Sequence, residues 1–127
     1  MFHFDLYVIC TQDVEVTTLK MSACLRKNWH FIQLLVTTNV SQRLVLFKTS
    51  TDDQLSAICE IVLNTLQGNL YIPPDKVKNL KKHKNILRSL SSATLSKRKK
   101  RKILITNSKV IVELLSTVQP LLETYMG

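Results

Sequence analysis

The pattern of apolar positions is clearest between residues 51 and 68. Apolar side chains recur there at steps of three and four: Leu55, Ile58, Cys59, Val62, Leu63 and Leu66. This spacing gathers them on one face of a helix. Thr51 and Gln54 form a capping box at its start, and Gly68 follows its last turn. We therefore predict a helix over residues 51–67 that organises the core.

Two helices are predicted before this one. The same periodicity covers residues 22–36, with Trp29 as the large buried anchor. A polar break at residues 37–39 separates this helix from a shorter one over residues 41–48. The shorter helix is expected to bury three side chains: Leu44, Val45 and Phe47.

The pattern continues after the central helix. Residues 69–74 form a turn that is expected to cover the core with Leu70, Tyr71 and Ile72. From Pro74 to about residue 90, an amphipathic helix would carry its apolar face on Leu80, His83, Ile86, Leu87 and Leu90. A last helix is predicted over residues 110–122, with Pro120 near its end. Because residues 109–112 are rich in β-branched side chains, a strand is the alternative there.

Composition supports a helical domain. Only two glycines and three prolines occur in 127 residues, and 45% of the chain is hydrophobic. Few tight turns favour helices joined by short polar links over a sandwich or barrel. Residues 1–20 alternate loosely and predict a weakly ordered arm, irregular or strand-like. We predict that residues 21–127 form one domain with an all-α fold, a small bundle of about five short helices.

The net charge of +9 is concentrated in one segment. Residues 76–102 hold twelve of the 18 Lys and Arg residues and no carboxylate. An ordinary solvated helix face mixes both signs, so this segment predicts a polyanionic partner. The candidate phosphate-binding residues are Lys78, Lys81, Lys82, Arg88, Lys97, Arg98, Lys99, Lys100, Arg101 and Lys102.

The unbroken basic run at residues 97–102 poses a problem of its own. If Ser96 caps a helix, six cations occupy its first turns, where the helix dipole disfavours positive charge. Either the segment stays extended without its ligand, or phosphates bind among these side chains and the amides of the helix start. The run also fits a nuclear localisation signal, which makes nuclear import compatible with the sequence.

Motifs for catalysis are absent from the sequence, so we expect no enzyme and no cofactor. There is no glycine-rich phosphate loop, nucleophile elbow or paired metal-ligand motif. Asp52 and Asp53 are adjacent, but their position at a helix start accounts for them. Three scattered cysteines and three scattered histidines give little support to a zinc site and fit reduced thiols. No aromatic residue lies within residues 76–102, so binding should be to phosphates and weakly sequence-dependent.

A series of short pieces carries a resemblance to a known family. In order, they are Phe31-Ile32-Gln33-Leu34-Leu35, Ser41-Gln42-Arg43, Phe47-Lys48-Thr49-Ser50-Thr51, residues 54–64, Gln67-Gly68-Asn69-Leu70, Lys82-His83-Lys84 and residues 96–104. They resemble a small basic protein encoded beside capsid genes in Polinton (Maverick) elements and in related adintovirus-like DNA viruses of animals. The match spans about residues 29–104.

This resemblance implies a function. The family has been likened to the basic core proteins of adenoviruses, which implies condensation or packaging of double-stranded DNA, in the host nucleus or the virion. A capsid protein is a further implied partner. Members of the family continue after the basic run with a Gly-Gly-Phe, glycine-rich apolar tail, whereas this chain has Ile105-Thr106-Asn107-Ser108. That departure removes support for any activity that depends on the tail, such as membrane contact.

Two other functions fit the same residues. A helical protein-interaction module could use the basic segment for nuclear import or for acidic protein surfaces. In that case residues 110–122 would form a partner-binding or self-associating helix rather than core. A peripheral membrane protein could place the same cations on anionic lipid, but it needs an exposed apolar face beside them. No apolar run approaches the length of a membrane span, and a membrane partner is not expected.

Overall fold

The structure, a computed structural model, describes residues 22–126. They form eight helices and no strand. The helices are α1 Ala23–Lys27, α2 Trp29–Thr37, α3 Val40–Lys48, α4 Asp52–Leu66, α5 Pro74–Lys81, α6 Lys84–Ser91, α7 Lys97–Thr106 and α8 Ser108–Met126. The predicted all-α class is confirmed, whereas the predicted number of about five helices is wrong. The predicted N-terminal arm, residues 1–20, lies outside the described residues.

Two of the three additional helices come from breaks at one or two polar residues, and the third is α7. The first predicted helix is divided at Asn28, whose Nδ2 donates to the Cys24 carbonyl oxygen at 2.8 Å. An asparagine side chain competes in this way for helix carbonyls. The basic helix is divided at Lys82 and His83, whose amides donate to carbonyls three residues back. Such tight turns end an α-helix. Asn107 separates α7 from α8.

Helix α4 is the centre of the core, as the sequence predicts. The hydroxyl of Thr51 accepts the Gln54 amide at 3.1 Å, and Gln54 Oε1 accepts the Thr51 amide at 2.9 Å, which confirms the capping box. Gly68 ends the helix with φ 79°, a backbone angle that glycine adopts without a steric penalty. Helices α1, α6 and α7 pack on α4.

Two side chains that were predicted for the core lie on the surface. Trp29 and Phe47 are buried as expected, but Val45 is 56% exposed. At about 100° per residue, Val45 points roughly 200° away from Phe47 on the same helix. Tyr71 is 52% exposed because it alternates with Leu70 and Ile72, which are both buried. An extended segment turns successive side chains to opposite sides.

The C-terminal segment is helical throughout the described residues, so the strand alternative at 109–112 is wrong. Pro120 lies inside α8 rather than at its end. Most apolar side chains of this helix are fully or nearly fully buried: Val110, Ile111, Val112, Leu114, Leu115, Val118 and Leu122. They belong to the core of the single chain and do not form an exposed surface for a partner or a second copy.

Candidate nucleic-acid interface

The basic run forms the start of a regular helix. Ser96 is the N-cap of α7, and its hydroxyl accepts the Lys99 amide at 3.2 Å. Of the two arrangements that the sequence left open, the structure has the capped helix. All six cations therefore occupy the first two turns of α7, and Leu104 in the following turn is fully buried. Positive side chains therefore do lie near the positive end of the helix dipole, which is an unfavourable placement.

Three of the six cations point away from the protein. At about 100° per residue, Arg98, Lys99 and Lys102 lie within about 60° of the direction opposite Leu104. All three are exposed, and α7 carries no carboxylate. We call these three residues the α7 outer face. It is a compact group of one guanidinium and two ammonium groups on a helix that the buried Leu104 anchors to the core.

The other three cations lie on the side of α7 that faces the protein. Arg101 donates from Nη2 to Asp52 Oδ1 at 2.7 Å and from Nε to the Ser50 carbonyl oxygen at 3.2 Å. Its role as a candidate phosphate-binding residue is weakened because its guanidinium already serves an internal carboxylate. Lys100 is half-buried, whereas Lys97, at the start of the helix, is exposed.

Lys97 and Lys100 lie close to a thiol of the central helix. Burial raises the pKa of the Cys59 thiol, while the positive charges of Lys100 and Lys97 oppose this rise. Cys59 is half-buried and packs beside the core, as expected for a small apolar side chain. The thiol thus marks where the inner side of α7 meets α4.

The remaining candidate cations lie on α5 and α6. Lys78, Lys81 and Lys82 are exposed, and Arg88 is half-buried. Val77 and Leu80 bury the opposite side of α5 against the core, where α5 packs on α8. Helix α7 packs on α3, α4, α6 and α8. The basic segment therefore forms separate cationic helices instead of one continuous helix followed by a tail.

The junctions that divide these helices meet at a polar cleft. Its volume is 360 Å³, and its lining includes His83, Asn107 and Lys109. Across it, Asn79 Nδ2 donates to Glu113 Oε1 at 2.8 Å and joins α5 to α8. His83, predicted for the apolar face, is half-buried and lines this cleft. Among residues 22–126, no group of three His, Cys, Asp or Glu side chains could hold a metal ion.

The structure contains an apolar groove between α2 and α3 that the sequence did not predict. It is lined by Leu34, Thr38, Gln42, Val45 and Leu46. A helical wheel carried the necessary signal, because Val45 and Phe47 cannot both face the core of one short helix. The groove contains no reactive group, and its apolar side chains suit contact with another apolar surface.

Comparisons with known proteins found no relative. No protein-family model, curated protein or solved structure matches this chain. The resemblance to the Polinton family thus remains an expectation from the sequence. Within the described residues, no helix has both the length and the apolar character needed to cross a bilayer.

Proposed function

We propose that this protein is a non-enzymatic double-stranded DNA-binding protein that uses the α7 outer face to contact phosphates. The observation that carries the proposal is the orientation of Arg98, Lys99 and Lys102, which are exposed together on a helix without a carboxylate. A duplex is a regular polyanion, and cations that displace its condensed counterions gain affinity regardless of sequence. The proposal accounts for the charge repulsion at the start of α7, since bound phosphates relieve it.

The composition of α7 favours weak sequence dependence. Apart from Thr106, its polar side chains are all Lys or Arg. It therefore lacks the Asn and Gln side chains that read adenine through paired hydrogen bonds. Arg can read guanine, but a cluster of like cations over two turns is better matched to the spacing of phosphates along a backbone. Phosphate contacts alone position a protein without selecting a sequence.

The number of contacts sets an expected salt dependence. The α7 outer face offers three exposed cations. Three phosphate contacts correspond to a logarithmic salt slope of about −2.7, which is roughly a 40-fold loss of affinity between about 50 and 200 mM salt. A loss of about 10³-fold or more would require the cations of α5 and its C-cap, Lys78, Lys81 and Lys82, to bind the same duplex.

The test is a salt series with two variants of equal net charge. Random-sequence duplex binding is followed by fluorescence anisotropy for the wild type, for Arg98→Gln/Lys99→Gln/Lys102→Gln, and for the matched control Lys27→Gln/Lys48→Gln/Lys109→Gln. We expect the outer-face variant to reduce the slope by about 2 to 3 and the control to leave it nearly unchanged. Equal losses in both variants would show that net charge acts rather than a defined surface.

A polyglutamate competitor separates DNA from acidic protein as the partner. Binding directed at duplex phosphates should resist polyglutamate at equal charge concentration, because a duplex holds its charges at a high, fixed density and releases condensed counterions when cations bind. Equal competition would count against DNA. The biological setting that we propose is condensation or packaging of DNA in a nucleus or virion, which rests on the resemblance alone.

A further inference from the structure

The groove between α2 and α3 exposes apolar side chains side by side. Leu34 on α2 is 47% exposed and Val45 on α3 is 56% exposed. Both line a groove of 310 Å³ together with Thr38, Gln42 and Leu46. Leu46 is half-buried and also packs against the core. An exposed apolar groove on a helix pair is a common seat for a partner helix.

The charges around this groove have one sign. The chain carries no Asp or Glu from residue 23 to residue 51. Exposed Lys48 lies three residues after Val45. Half-buried Arg43 donates from Nη2 to the carbonyl oxygen of groove-lining Thr38 at 2.9 Å. Glu123 of α8 meets α2 at Gln33, which points about 100° away from Leu34 around the helix. The groove is therefore an apolar surface with a cationic rim.

Charge complementarity decides which kind of partner fits this groove. A second copy would bring an identical cationic rim against the first, and the chain already carries a net charge of +9. A duplex offers no apolar surface for Leu34 and Val45. We propose that the groove binds an amphipathic helix of a partner protein, with leucine-type anchors on one face and carboxylates flanking them. The anchors fill the groove, and the carboxylates meet the positive charges of Arg43 and Lys48.

This binding site is separate from the proposed DNA interface. The groove is lined by residues of α2, α3 and the link between them, and none of its lining residues belongs to α7, although α3 packs on α7. Failure of either interaction leaves the other intact, so the two proposals are tested independently.

The probe is a synthetic peptide of about 18 residues with leucines at i, i+4, i+7 and i+11, glutamates flanking them and alanines at the remaining positions to favour the helix. A peptide of identical composition with the leucines dispersed around the helix is its control. Binding is measured by fluorescence anisotropy with the wild type, with Leu34→Ser/Val45→Ser, and with Val40→Ser. Val40 is an exposed apolar residue of α3 that is not among those lining the groove, so its variant is the matched control.

We expect the patterned peptide to bind the wild type and Val40→Ser equally and to bind Leu34→Ser/Val45→Ser at least about tenfold more weakly. Duplex affinity should be unchanged in all three proteins. Circular dichroism checks that each variant is folded. Equal binding of the patterned and dispersed peptides would overturn the proposal, because it would indicate general attraction to a cation-rich protein. So would failure of the patterned peptide to bind, or a dimer in sedimentation that Leu34→Ser/Val45→Ser abolishes.

Discussion

Arg101 Nη2 and Asp52 Oδ1 lie 2.7 Å apart and join the basic helix α7 to the first turn of the central helix α4. The arginine side chain is only 24% exposed, whereas that of Asp52 is 67% exposed. Nε of the same guanidinium reaches the carbonyl oxygen of Ser50, a buried residue just before α4. One cation of the basic run is thus used to hold α7 in place, and that placement turns the α7 outer face to solvent.

Removal of this link should destabilise the protein. Arg101→Gln loses the ion pair and the bond to the Ser50 carbonyl, and we expect the free energy of unfolding to fall by about 1 to 2 kcal/mol. Chemical denaturation measures this value. The control Lys102→Gln removes an exposed cation two turns into the same helix and should change stability by less than about 0.5 kcal/mol.

A double-mutant cycle isolates the ion pair from the other contacts of Arg101. With Asp52→Asn as the second substitution, we expect a coupling energy of about 0.5 to 1 kcal/mol, because Asp52 is mostly exposed to solvent and salt. A coupling energy of zero would show that Arg101 acts only through Ser50. A loss of coupling at high salt is expected, since exposed ion pairs are screened.

A comparison of Arg101 with Arg98 distinguishes a structural cation from a DNA-binding cation. Arg98→Gln removes one member of the α7 outer face and should reduce the salt slope of duplex binding by about 0.9. Arg101→Gln should leave the slope unchanged while lowering stability. Both substitutions exchange arginine for glutamine in the same turn of helix, so charge and composition are matched. A reduced slope in Arg101→Gln alone would reverse the two assignments.

Much of the fold could be predicted from local pattern. The capping box of Thr51 and Gln54 and the apolar stripe that follows are short-range signals, and they located α4 correctly. The breaks at Asn28 and Asn107 were less visible, because asparagine is tolerated within helices and ends them only where its side chain captures a nearby carbonyl. Helix number therefore depended on local hydrogen bonds that periodicity does not contain.

The candidate site was predictable in composition but not in orientation. The sequence identified residues 97–102 as cationic, yet it could not separate Arg101 from Arg98. That separation depends on Asp52, which is 49 residues away in sequence. Similarly, Val45 has the same apolar character as its neighbours, and only the packing of Phe47 fixes which of them faces outward. Contacts distant in sequence decide both outcomes.

The contrast between Val45 and Phe47 gives a stability prediction. Phe47→Ala empties a fully buried position and should cost about 3 to 5 kcal/mol. Val45→Ala removes a mostly exposed side chain and should cost less than about 0.5 kcal/mol. Thermal or denaturant unfolding of both variants measures the difference. Comparable costs would indicate that α3 is rotated relative to the structure described above.

The Cys59 thiol predicts a dependence of stability on alkaline pH. Burial raises the pKa of this thiol above its ordinary value of 9.0, so the unfolded chain ionises at lower pH than the folded protein. The resulting stabilisation is fully present below 9.0 and is lost as pH rises through the folded pKa. We expect the free energy of unfolding to fall more steeply above that pH in the wild type than in Cys59→Ala.

Alkylation of Cys59 checks the position of the basic helix independently. Lys100 and Lys97 favour the thiolate, so Lys97→Gln/Lys100→Gln should raise the pKa of the thiol further and slow its alkylation at a fixed pH. Lys102→Gln should have no effect, because that side chain points away from α4. Mass spectrometry of the peptide containing Cys59 follows the rate. Equal rates in all three proteins would contradict the inner placement of Lys97 and Lys100.

Ser96 offers a way to separate the stability of α7 from its affinity for phosphates. Aspartate and asparagine both serve as N-caps, so Ser96→Asp and Ser96→Asn should each preserve the bond from the Lys99 amide. Only aspartate adds a negative charge at the positive end of the helix, beside six cations. We expect Ser96→Asp to be more stable than Ser96→Asn by about 0.5 to 1 kcal/mol.

Duplex binding by the same pair should change in the opposite direction. The carboxylate of Ser96→Asp would compete with phosphates for the first turn of α7 and repel them, which weakens duplex binding at low salt by about two- to threefold. Ser96→Asn should bind like the wild type. Anisotropy titrations at a single low salt concentration are sufficient, because the two variants differ only in this charge. If Ser96→Asp gained stability without losing affinity, the start of α7 would lie away from the DNA, and the α5 cations would become the principal contacts.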